Sequence, residues 1–153
     1  MNNISSWQTK DERYIIVPMD RLTKEQRSRN MAQIKNSGTR PEKLVRSLLH
    51  RMGYRFRLNV KTLHGNPDIV LSRYKTIIFV HGCFWHRHED CSYTTTPATR
   101  PEFWAKKFAS NIQRDKIVIE TLTKSGWMVL VVWECELKDM EALKCRLQTA
   151  LPR

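Results

Sequence analysis

Residues 65–91 read GNPDIVLSRYKTIIFVHGCFWHRHEDC. The first half holds two apolar runs, 69–71 and 76–80, separated by the polar turn Ser72, Arg73, Tyr74. That layout predicts a β-hairpin. The second half gathers three histidines, two cysteines and two acids into residues 81–91, around the adjacent aromatics Phe84 and Trp85. A purely structural segment rarely collects these types together. The hairpin is therefore expected to end in a chemical site, carried on a loop that runs to Thr99.

Downstream, TRPE (99–102) reads as a helix start capped by Thr99. The helix is expected over Pro101–Lys124, with Phe103, Phe108, Ile112, Val118, Ile119 and Leu122 supplying its apolar side and Gly126 ending it. WMVLVVWEC (127–135) is a continuous apolar run, the pattern of a fully buried strand. A last amphipathic helix carries Leu143, Leu147 and Leu151, with Cys145 expected in the core. Upstream, a helix is expected from Thr23, with Gln26 as capping-box partner. A second follows from Thr39, with Glu42 completing its box, Leu44, Val45, Leu48, Leu49 and Met52 on one face, and Gly53 at its end. YRFRLNV (54–60) alternates as a half-buried strand should. The order is α-α-β-β-β-loop-α-β-α, which predicts an α/β fold with a mixed sheet flanked by helices. Residues 1–20 read as a flexible N-terminal arm and residues 21–153 as a single domain.

The chain has 153 residues, and 27 Lys and Arg against 15 Asp and Glu give it a net charge of +12. Such an excess calls for a polyanionic partner, and the competing reading is a solvated basic surface. No apolar run approaches the ~20 residues that span a bilayer, and the start lacks a secretory layout. A soluble, cytoplasmic protein with nucleic acid as partner is expected. The four cysteines, 83, 91, 135 and 145, then read as thiols or metal ligands rather than disulfides.

Thiolate and imidazole donors in a tetrahedron suit Zn²⁺. Cys83, His88 and Cys91 share the loop, and Cys135 ends the strand that a sheet would set beside it. These four are the proposed structural zinc ligands, although spacing alone does not separate His88 from His86. Asp68 opens an apolar strand, where an acid is costly unless paired or bound to a cation. Hairpin geometry brings it near Val80, whose carbonyl with the Asp68 carboxylate makes a plausible Mg²⁺ site. His86 or His81 could then take a proton from an attacking water. On the bland reading, Asp68 is a strand-start acid and Glu42 only caps a helix. Phe84, Trp85, Trp104 and Met31 are bulky side chains placed to wedge into DNA, against the commoner alternative of core packing.

GNPDIV, FVHGCFWHRHEDC, PATRPEFWAKKFASNIQRD and GWMVLVVWEC together resemble the very-short-patch repair (Vsr) mismatch endonucleases, and the likeness runs from Leu22 to Leu137. The resemblance implies a variant of the type II restriction-endonuclease fold with a structural zinc. It implies a Mg²⁺-dependent nick 5′ of the thymine in a T:G mismatch, the product of 5-methylcytosine deamination, and a functional pairing with a cytosine-5 methyltransferase. It assigns Asp68 and the Val80 carbonyl to Mg²⁺, His86 to general base, His81 to the phosphate, and Glu42 to a hydrogen bond with the catalytic histidine. Cys83, His88, Cys91 and Cys135 fall on the zinc ligands. Phe84, Trp85 and Trp104 fall on aromatics that enter DNA, and Met31 on the residue inserted from the N-terminal helix. The sequence departs from the family in four ways, one of them an N-terminal extension of about 15 to 20 residues. Val80 stands where threonine is common, the His88–Cys91 spacing is one residue longer, and no acid-x-Lys follows Asp68, so the histidines would replace that lysine.

Two other functions are open to this sequence: a restriction-type nuclease on fully paired DNA, and a zinc module that binds DNA without cutting it. A pure binder has no need of Asp68 with two free histidines. Nothing marks a dimer helix, so a monomer is expected.

Overall fold

The structure, a computed structural model, describes Thr23, Glu25, Gln26, Arg29, Ala32 and residues 37–151. The expected arm over 1–20 and Met31 lie outside the described residues. The capping box expected at Thr23 is present: its N–H donates to Gln26 Oε1 at 2.8 Å and the Gln26 N–H donates to Thr23 Oγ1 at 3.2 Å.

Four strands form one sheet in sequence order: β1 (Arg57–Leu58), β2 (Ile69–Leu71), β3 (Thr76–His81) and β4 (Met128–Trp133). The first three run antiparallel to their neighbours, and β4 lies parallel to β3. The helices are α1 (Arg40–Arg51), the single turn α2 (Cys83–His86), α3 (Pro101–Lys124) and α4 (Met140–Ala150). Parallel strands need a crossover, and α3 lies within it.

The pleat sorts β2 and β3 between two faces. Ile69, Leu71 and Ile78 point to the side covered by Val45, Leu48 and Leu49 of α1 and by Leu143 and Leu147 of α4. Val70, Ile77 and Phe79 point to the other side, where Val118 and Leu122 of α3 cover them. The result is three layers with the sheet in the middle, the mixed α/β architecture that the resemblance implied. α1 begins as its sequence demands. Thr39 Oγ1 accepts from the Glu42 N–H, and Glu42 Oε1 accepts from the Thr39 N–H at 3.2 Å.

The structure departs from sequence expectation in four places. The strand expected over 54–60 contracts to Arg57–Leu58, because Tyr54 and Phe56 pack into the core as loop residues and Asn59 turns left-handed at φ 46°. β4 is an edge strand, so only Val132 of it is fully buried. α3 has 24 residues, about 36 Å, against a sheet only ~20 Å deep; Phe103 near its start and Ile112 on the wall of a cleft are about half exposed. Its N-cap is Arg100, left-handed at φ 57° and making no side-chain cap, rather than Thr99. Cys145 is exposed, because it lies two residues off the Leu143–Leu147 stripe, about 200° around the helix.

Gly65 sets the spacing between the turn before β2 and α3. It sits at φ +78°, and a Cβ there would lie 2.4 Å from Val118 Cγ1. Gly65→Ala should lower stability by about 2–4 kcal/mol, from left-handed strain plus overpacking. Urea denaturation checks this, and Val118→Ala in the same background should recover the steric part only. An unchanged midpoint in Gly65→Ala would remove the contact.

Candidate active site and metal cluster

The parallel register builds the site. β3 and β4 pair Val80 with Val132 and His81 with Trp133. Both chains leave the sheet at that end, so Cys83 and Cys135, two residues further on, emerge beside each other. His88 Nδ1 lies 3.7 Å from Cys83 Sγ and 3.2 Å from Cys135 Sγ. Cys91 completes the group, with all four donor atoms within 4.8 Å of one another. Burial, with the side chains of Cys135 and Cys91, pushes the Cys83 thiol up to about 12, and burial also raises Cys135. Thiols this close do not ionise together without a compensating cation. Three sulfurs and one imidazole nitrogen are the closed donor set of a structural Zn²⁺. Between His88 and Cys91 the chain turns at Asp90, which is left-handed at φ 52°.

Arg87 separates the two histidines that spacing alone left interchangeable. It is left-handed at φ 54°. Its guanidinium donates to Thr95 O at 2.8 Å and Thr96 Oγ1 at 3.0 Å and lies over the Phe108 ring at 4.4 Å. Those contacts offset the roughly 1–2 kcal/mol cost of the conformation. On one side of Arg87, His88 joins the cysteines. On the other, His86 Nδ1 lies 2.5 Å from Asp115 Oδ2 on α3.

His86 also stacks on His81, with centroids 3.8 Å apart and planes 12° apart. Burial, aided by the charge of His86, lowers the His81 pKa to about 4, so His81 is neutral at physiological pH. Asp115 is pulled the other way. Burial opposes its ionisation, but hydrogen bonds from His86 and Arg114 and the charges of both histidines outweigh it and hold the carboxyl below its ordinary value. The two histidines and Asp115 border a cleft of about 310 Å³ whose walls include Ile112, Ile119, Val131 and Trp133.

Asp68 lies on the other side of β3. Its Oδ2 accepts the Val80 N–H at 2.8 Å. In a strand the C=O of a residue points the same way as its N–H, so the Val80 carbonyl is directed to the Asp68 side. Burial raises Asp68 to about 6 against the lowering pull of that hydrogen bond, Glu42 adds to the rise, and Arg46 and His86 reduce it. A buried carboxylate under this tension, beside an outward carbonyl, fits the hard oxygen donors that Mg²⁺ takes.

The expected hydrogen bond from Glu42 to the catalytic histidine is not what the structure contains. The Glu42 carboxylate is saturated by the Gly38 and Thr39 N–H groups, the Thr39 hydroxyl and Arg46 Nη2 at 2.6 Å. The carboxylate on His86 is Asp115. Sequence reading missed it, although a signal existed: Phe108, Asn111, Asp115 and Val118 recur at helical spacing, and an acid on a buried stripe needs a partner.

Phe84 and Trp85 are half-buried rather than projecting freely. Phe84 packs edge-on against Trp85 (5.0 Å), Trp104 (5.5 Å) and Phe108 (5.3 Å). The buried Asn111 amide donates to the Trp85 carbonyl at 3.0 Å and pins α2 to α3. Phe103, against Trp104, is the exposed tip of the cluster.

Comparison with known proteins is consistent with this geometry. Residues 19–93 match the family model described as DNA mismatch endonuclease Vsr. A protein of Escherichia coli named DNA mismatch endonuclease Vsr is 46% identical over 117 residues, covering 76% of this chain and 74% of that one. The chain belongs to the Vsr family. A Xanthomonas oryzae relative named type II nicking enzyme V.XorIIP is 48% identical over 132 residues, covering 86% of this chain and 96% of its own. A Neisseria meningitidis relative named type II nicking enzyme V.NmeAIP is 44% identical, covering 84% and 91%. As a member of that family, the chain is a DNA-cleaving enzyme. No helix among its described residues is long and apolar enough to cross a membrane.

In this Vsr-family chain the raised Asp68 pKa carries a stability consequence. The unfolded carboxyl releases its proton near 3.8 and the folded one near 6. The Mg²⁺-free fold therefore loses stability as pH rises through that window, by about 2–3 kcal/mol at neutral pH. Asp68→Asn can still accept the Val80 N–H. It should raise the stability of the zinc-loaded, Mg²⁺-free protein at pH 7 by about 1–3 kcal/mol while abolishing nicking. Thermal melts and a nicking assay check both halves, and a destabilised variant would make the ionised acid structural.

Proposed function

We propose that this chain hydrolyses one phosphodiester of duplex DNA with Mg²⁺, 5′ to the thymine of a T:G mismatch. The observation that carries the reading is the pairing of Asp68 and Val80 on one side of β3 with the stacked His81, His86 and Asp115 at its end. When bound by the Asp68 carboxylate and the Val80 carbonyl, Mg²⁺ supplies charge neutralisation at the phosphate and a lower pKa for the attacking water. His86 takes the proton of that water through Nε2, since its Nδ1 is engaged by Asp115. An ionised Asp115 fixes the tautomer and stabilises the imidazolium that forms, the division of labour of a His–Asp pair. His81, kept neutral by burial, offers the phosphate a hydrogen bond without adding a fixed charge. The water oxygen bonds to phosphorus, the P–O bond to one sugar oxygen breaks, that oxygen takes a proton from solvent and leaves as a hydroxyl, and the other strand stays intact.

The aromatic cluster supports the mismatch. Phe84 and Trp85 on the single turn α2 and Trp104 in the first turns of α3 form one aromatic cluster, where they could wedge against a weakened base step. Met31 is the residue that the resemblance would insert from the N-terminal helix. Glu42, braced by Arg46 and felt electrostatically at Asp68, holds the field at the metal carboxylate. On this reading a cytosine-5 methyltransferase supplies the methylcytosines whose deamination makes the substrate, and the enzyme acts as a monomer. A second reading, nicking at a fully paired recognition site, is favoured by the names of the Xanthomonas and Neisseria relatives, which mention nicking and no mismatch.

A strand-resolved cleavage assay with Mg²⁺ separates the two. The substrates are duplexes with T:G mismatches in varied contexts beside the same duplexes fully paired. The mismatch reading expects a single nick 5′ of the mismatched thymine and intact paired DNA. Cutting of paired duplexes would replace it with the second reading. Tight binding without cutting on a panel covering every flanking context would leave a non-catalytic zinc module.

A further inference from the structure

Trp133 holds the last register position of the β3–β4 ladder, opposite His81. Its indole stacks flat on His88, with centroids 4.2 Å apart and planes 8° apart. It meets His81 at 5.4 Å and 76°, and His81 stacks on His86. Four rings thus form a continuous chain of contacts, stacked at both ends and edge-on in the middle, from the metal cluster to the proposed general base. Both ends are anchored, His88 among the cysteines and His86 on Asp115. The middle is not. Among the described residues no hydrogen bond orients the His81 ring, which is held by Phe79 at 5.9 Å, His86 and Trp133.

Trp133 is itself braced. Its backbone N–H donates to Glu136 Oε2 at 2.7 Å, and Arg146 of α4 holds that carboxylate at 2.9 Å. A second bond from Arg146 reaches the Val131 carbonyl at 3.1 Å. A large, flat ring carried on a braced backbone and stacked on His88 thus meets the His81 ring edge-on.

We propose that Trp133 is a positioning residue for strand nicking, which transmits the rigidity of the metal cluster to His81 and through it fixes the plane of His86. The proposal rests on the reading of His86 as the base. Small misplacements of a reacting group cost rate far more than affinity, so the effect belongs in the chemical step and not in DNA binding.

The test compares Trp133→Phe and Trp133→Leu with the parent chain, all zinc-loaded. The readouts are zinc per chain, single-turnover nicking rate, DNA affinity, and the nitrogen-edited NMR signal of His86 Nδ1–H without DNA or Mg²⁺. The proposal expects unchanged zinc and DNA affinity within about twofold. It expects a rate lower by about tenfold or more in the Leu variant and by less in the Phe variant. The His86 signal, two rings away from the indole, should broaden or move in the Leu variant and stay near the parental position in the Phe variant. A zinc-loaded Leu variant with parental rate and signal overturns the proposal. So does a rate loss that vanishes at saturating zinc, which would make Trp133 only a support for metal binding. The NMR readout needs no substrate, so it decides the positioning claim even if no duplex is nicked.

Discussion

Arg87, fixed at φ 54° between His86 and His88, sends one imidazole to Asp115 and the other to three cysteines. Everything at the end of the sheet depends on that division. A chain continuing α2 helically past His86 would carry His88 on around the helix and away from Cys135. The local strain is held by two hydrogen bonds and the Phe108 ring, so the aromatic cluster and the metal cluster support the same turn. The loop is short of regular structure, yet its geometry is over-determined, as a reacting centre requires.

Two carboxylates on either side of β3 are driven in opposite directions. Burial raises Asp68, whereas the histidines and Arg114 lower Asp115 against its burial. Environments that push paired groups apart assign them different work. The first carboxylate ionises at a cost that a cation beside it would relieve, and the second is held in its ionised form and braces an imidazole. On the proposed Mg²⁺ reading, the site is built at the expense of the metal-free fold, and stability is recovered in the three-layer core, where residues such as Leu49, Ile69, Ile78 and Val132 have no exposed surface.

Much of this was legible in the sequence, for identifiable reasons. The hairpin 69–80 and the bounds of α3 follow from strong local patterns. The cluster of Cys83, His88, Cys91 and Cys135 was legible because three donors sit in one loop and the fourth ends a strand. The tetrapeptide TRPE shows the limit. At 39–42 it forms the capping box, but at 99–102 the left-handed Arg100 shifts the helix start by one residue. Burial of β4 was overread because an apolar run does not reveal an edge. Asp115 was missed because its meaning lies in a partner 29 residues away, and Glu42 was given that role because its local cap could not reveal how fully its oxygens are engaged.

The division of the two histidines can be measured at the metal. X-ray absorption at the zinc edge of the zinc-loaded protein counts the ligands directly. The account predicts three sulfurs at about 2.3 Å and one nitrogen at about 2.0 Å, unchanged by His86→Ala. Two sulfurs with two nitrogens, or a nitrogen lost with His86, would place His86 in the metal cluster and contradict its assignment as the base held by Asp115.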